Sequence, residues 1–83
     1  MSKREIIFLK LLFGNKDKDF DFSELLKMLA DLGFEMRISG SHHIHWKDGI
    51  PEILNLQPNG NKAKPYQVKQ VREILQKHKL IPE

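Results

Sequence analysis

Apolar residues recur along the chain first at helical and then at strand spacing. Ile6, Leu9 and Phe13, with Ile7 and Leu11 beside them, predict a first helix. Ser2-Lys3-Arg4-Glu5 has the form of a capping box at its start, and Gly14 is suited to close it. Residues 15–20 form a charged connection. Asp21-Phe22-Ser23-Glu24 repeats the capping pattern, and Phe22, Leu25, Leu26, Leu29 and Leu32 form the apolar stripe of a second helix ending at Gly33.

The period then changes to two. Phe34, Met36 and Ile38 alternate with Glu35, Arg37 and Ser39, which predicts a strand with one wet face. After a Gly40-Ser41 turn, His42, Ile44 and Trp46 alternate with His43, His45 and Lys47. Asp48-Gly49 marks a second tight turn. A third strand is expected over 52–57, with Leu54 and Leu56 facing inward and Ile53, Asn55 and Gln57 outward. Pro58-Asn59-Gly60-Asn61 reads as a loop. A last helix opens at Pro65, buries Val68, Val71, Ile74 and Leu75, keeps Lys69, Arg72, Glu73 and Lys77 wet, and stops by Pro82.

The predicted fold class is α+β, a three-stranded antiparallel sheet with helices packed on one face. The open face is expected to carry Arg37, Ser39, His43, His45, Lys47, Asn55 and Gln57. Phe34 and Trp46 are expected in the core. At 83 residues the chain is expected to form a single domain, 1–83, with 21–80 as its core and 1–20 as an extra N-terminal helix and connection.

Composition narrows the function. The chain has no cysteine, which excludes disulfides and thiolate metal sites. No apolar run approaches the roughly 18–20 residues that span a bilayer, so a cytoplasmic protein is expected. The net charge is +3, unevenly spread. Residues 1–59 hold 8 Lys/Arg against 9 Asp/Glu, and residues 60–83 hold 6 against 2. A basic final third suits phosphate or an acidic partner, or is simply a solvated helix face.

Three of the four histidines fall within Ser41-His42-His43-Ile44-His45. Imidazole both takes and gives a proton near neutral pH, as RNA cleavage through the 2′-hydroxyl requires. By the period of two, His43 and His45 share the open face, which makes His43 the expected base and His45 an acid or a phosphate contact. Ser41 shares that face with His43 and joins the catalytic candidates. His-x-His could also hold a metal, but Arg37, Asn55 and Gln57 are poor further ligands, and no metal or other cofactor is expected. Arg37, Lys47, Lys62, Lys64 and Lys69 are the candidate RNA contacts, the last three near a helix N-terminus that favours phosphate.

Gly33-Phe34 before a short strand, then Gly40-Ser41-His42-His43, resembles the signature of the HicA toxins, the small mRNA interferases of HicA–HicB toxin–antitoxin pairs. Residues 64–75 look like the final helix of a subgroup of that family. The resemblance implies a dsRBD-like α-β-β-β-α core, cleavage of mRNA by one essential histidine that falls on His43, and a HicB-type antitoxin. Many members carry a Pro-His pair after the third strand, where this chain has Gln57-Pro58-Asn59. A non-catalytic RNA-binding or regulatory module is the alternative.

Overall fold

A computed structural model describes residues 3–14 and 17–80. Its elements are α1 (Lys3–Phe13), a 3-10 turn (Asp17–Asp19), α2 (Phe22–Asp31), β1 (Glu35–Ser39), β2 (His42–Lys47), β3 (Ile50–Leu56), β4 (Pro58–Asn59), β5 (Lys62–Ala63) and α3 (Pro65–Lys77). β1, β2 and β3 form an antiparallel meander in that order. The expected α+β architecture is present, with the α-β-β-β-α core and the extra first helix. The capping residue Ser2 and the stop at Pro82 lie outside the described residues.

The core joins Ile7 and Leu11 of α1, Phe20, Phe22, Leu25, Met28 and Leu29 around α2, Leu54 and Leu56 of β3, and Val68, Val71, Ile74 and Leu75 of α3. The first helix therefore turns a different side inward from the one its spacing suggested. Ile7 and Leu11 are buried, while Ile6 and Phe13 are 53% and 74% exposed. Two apolar stripes compete on α1, and packing against α2 and α3 selects the Ile7–Leu11 one.

Several local devices fix the layer. Pro65 begins α3 where its missing N–H costs nothing. The helix ends before Pro82: Lys79 takes φ 57°, and Leu80 N–H donates back to Leu75 O at 2.8 Å, closing the last turn in a Schellman-type cap. Asp21 stands at the N-cap of α2 but makes no side-chain cap bond; its carboxylate accepts from Lys62 instead. The Phe22 N–H is satisfied by Asn61 O at 3.0 Å. That carbonyl belongs to a small β4–β5 hairpin, which replaces the loop expected over 58–61. Gly14 (φ 71°) lies under Arg72, whose guanidinium carbon would stand 3.3 Å from an added Cβ. Arg72 is not a wet residue: it donates to both oxygens of Asp17, at 2.9 and 3.1 Å, and to Leu11 O at 3.2 Å.

Register overturns the expected face of β2. Ser39 pairs with His42, Ile38 with His43 and Met36 with His45. On the other side His43 pairs with Leu56 and His45 with Leu54. Directly paired residues share a face, so His43 and His45 point toward the helices with Met36, Ile38, Leu54 and Leu56. The helix-free face carries Arg37, Ser39, His42, Ile44, Trp46, Ile53 and Asn55. Trp46 is half-buried there rather than in the core, whereas Phe34 is buried as expected. The cause is the turn: Gly40 (φ 61°) and Ser41 form a two-residue loop, which pairs the residues on either side of it.

Candidate active site at the margin of the helical layer

The helical layer does not cover the whole sheet. Leu54 and Leu56 on β3 are fully buried and His45 on β2 is 2% exposed. His43 is half-buried, and Met36 and Ile38 on the edge strand β1 are 44% and 57% exposed. His43 stands where the cover ends. Its ring meets Phe22 of α2 edge-on, with centroids 4.9 Å apart.

The three clustered imidazoles differ in what their nitrogens do. His43 Nδ1 lies 3.2 Å from Ser41 O. A carbonyl only accepts, so Nδ1 carries a proton, and in the neutral ring Nε2 keeps its lone pair. Every buried side-chain nitrogen and oxygen among the described residues has a hydrogen-bond partner. Nε2 of His43 has no hydrogen-bond partner among the described residues. His45 Nδ1 donates to His43 O at 3.1 Å, and burial pushes its imidazole below the ordinary value. His45 is thus a neutral core residue with a satisfied bond and a poor proton donor near neutral pH. His42 is exposed, but both its nitrogens are engaged: Nδ1 donates to Asn55 Oδ1 at 2.9 Å, and Nε2 accepts from Gln57 Nε2 at 3.2 Å.

Ser41 links the two sides of the strand. Its carbonyl holds His43, and its Oγ accepts from Gln57 Nε2 at 3.1 Å. Gln57 Oε1 in turn accepts from Lys64 Nζ at 3.2 Å. Gln67, buried in the first turn of α3, accepts from Gln57 N–H and donates to Asn55 O, both at 3.1 Å. Gln57 and Gln67 were not singled out from sequence as functional. A glutamine two positions after a helix-opening proline, directed inward among valines, was the available signal for Gln67.

The candidate cations do not form one patch. Lys64 joins the Gln57 network, and Lys69 is exposed on α3. Arg37 lies on the helix-free face, and Lys47 lies on the other side, its ammonium against Gly33. Lys62 is held between Asp19 at 2.9 Å and Asp21 at 2.7 Å. Those carboxylates push its ammonium up to about 12, and Lys62 holds both of them below their ordinary range. Its charge is already balanced, which removes most of its attraction for phosphate. Among the described residues no three His, Cys, Asp or Glu side chains converge as metal ligands.

The family model described as the HicA toxin of bacterial toxin–antitoxin systems matches residues 22–79. The chain belongs to the HicA toxin family. No curated protein and no solved structure matches it. The matched span starts at α2, so α1 of this HicA toxin is an addition outside it. Membership in a toxin–antitoxin family implies an antitoxin partner, and the family is generally one of mRNA interferases. No helix among the described residues is long and apolar enough to cross a membrane.

Proposed function

We propose that this HicA toxin cleaves mRNA in the cytoplasm, with His43 as the group that moves the proton. The observation that carries the reading is the oriented ring: His43 is held through Nδ1 by Ser41 O, stands half-buried where the helical cover ends, and has no partner on Nε2 among the described residues. In the reaction, Nε2 takes the proton of a ribose 2′-hydroxyl. The 2′-oxygen then bonds to the adjacent phosphorus, the bond to the 5′-oxygen breaks, and that oxygen leaves with a proton from solvent at this open margin. The products are a 2′,3′-cyclic phosphate and a 5′-hydroxyl, and no cofactor takes part.

The buried His45 is not available as the acid, and His43 reaches RNA at the rim of the helical side rather than on the helix-free face. Lys64 and Lys69 are the backbone contacts this placement favours. Arg37 and Lys47 would touch only RNA that wraps beyond the sheet edge, and Lys62 is already paired. A HicB-type antitoxin would neutralise the toxin by covering the His43 margin.

Expression of the wild-type chain should arrest bacterial growth, and His43→Ala should accumulate folded without arresting it. Full toxicity of His43→Ala would remove His43 from the chemistry. Purified protein that retards RNA without shortening it would indicate a binding module.

A further inference from the structure

We propose that Gln57 is a positioning residue for the proton transfer at His43, an inference that rests on the cleavage reading above. Gln57 follows Leu56, which is paired with His43 across the strands. Its backbone is fixed first: the N–H donates to Gln67 Oε1, and Gln67 is itself buried and bonded to Asn55 O. Its side chain is then used completely. One amide proton goes to Ser41 Oγ and the other to His42 Nε2, while the amide oxygen accepts from Lys64.

The bond to Ser41 matters most. Ser41 sits in a two-residue turn at the end of the sheet, where side chains and backbone on both flanks are exposed. An exposed turn held only by its own ladder frays. Gln57 ties Ser41 to the first turn of α3, a rigid element. The Ser41 carbonyl is thereby kept on His43 Nδ1, which fixes the tautomer that leaves Nε2 free. Loss of the tie lets the carbonyl drift, and the proton then redistributes between the two ring nitrogens. Lys64, held by the same amide, keeps its ammonium on the network that ends at His43.

Gln57→Met keeps the length of the side chain and removes its hydrogen bonds; Ser41→Ala removes only the Oγ end of the tie. Either variant should slow single-turnover cleavage by roughly 10- to 100-fold, as a displaced catalytic group does. Affinity for an uncleavable 2′-deoxy oligonucleotide should stay within about twofold. The double variant should be no slower than the singles, because both cut one link. Imidazole nitrogen shifts should show His43 as the Nδ1–H tautomer in the wild type and as a mixture in Gln57→Met. Cleavage within about twofold of wild type, a loss of affinity in step with rate, or additive single effects would overturn the role. A wild-type protein that leaves RNA intact would defeat the cleavage reading instead. The tautomer comparison then decides Gln57 alone, and an unchanged His43 tautomer in Gln57→Met overturns its role.

Discussion

The rings of His43 and His78 each make one hydrogen bond among the described residues. His78 gives its Nε2 proton to Glu52 Oε1 at 2.8 Å, and Lys77 binds the other oxygen of that carboxylate at 2.7 Å. The arrangement ties the end of α3 to β3, and the outer nitrogen of the ring is spent on it. His43 uses its inner nitrogen on a backbone carbonyl, and its outer one has no partner among the described residues. The same side chain is a strut in one place and a candidate base in the other. The difference lies in which nitrogen is engaged and by what. Exposure alone does not separate them, since both rings are half-buried.

The largest effect should fall on cleavage. His43→Ala should lower the rate per folded molecule by about 10²- to 10⁴-fold, the usual worth of a general acid or base, with only a modest fall in the unfolding midpoint from the lost Phe22 contact. His78→Ala should do the reverse: cleavage per folded molecule is retained, and the denaturation midpoint falls.

Arg72 extends the contrast to another cation. Its side chain and that of Asp17 are mostly buried, and together they bind the end of α1 to α3. Arg72→Met should cost about 2 kcal/mol in urea denaturation, less than a fully buried pair because water still reaches both groups. The cleavage rate of the folded fraction should not change.

The Glu52 strut also predicts an acid response. Lys77 and then His78 hold its carboxylate down to about 2, from an ordinary value of 4.5. A depressed folded value means stability that is complete above about 4.5 and lost as pH falls through 2. Between those values the wild type should lose stability more steeply than Glu52→Gln, while the two should cleave RNA alike near neutral pH.

The smallest effect concerns the lysines. Lys69→Ala should reduce the slope of log affinity against log salt by about 0.7, the share of one contact to single-stranded RNA. Lys62→Ala should leave that slope nearly unchanged, since Asp19 and Asp21 already hold its charge.

Most of the architecture was legible in the sequence because its signals are local. The stripe of α2, the alternation of β1 and β3, the Asp48-Gly49 turn and Pro65 at the head of α3 all point to what the structure contains. β2 misled because Ile44 and Trp46 are the more apolar set, yet they occupy the helix-free face. The information to correct this was present: a two-residue Gly40-Ser41 turn pairs Ser39 with His42, and so puts His43 on the side of Ile38. The fates of Lys62 and Arg72 were not legible. Their carboxylate partners lie 41 and 55 residues away, and only the tertiary fold brings them together.

The most direct test is nitrogen-detected NMR of the four imidazoles, with and without a 2′-deoxy oligonucleotide that binds but cannot be cut. His43 should be the Nδ1–H tautomer, and its Nε2 should be the imidazole nitrogen most perturbed by the oligonucleotide, with His45 and His78 silent. An oligonucleotide that leaves His43 unmoved, or shifts only His42, would contradict the assignment.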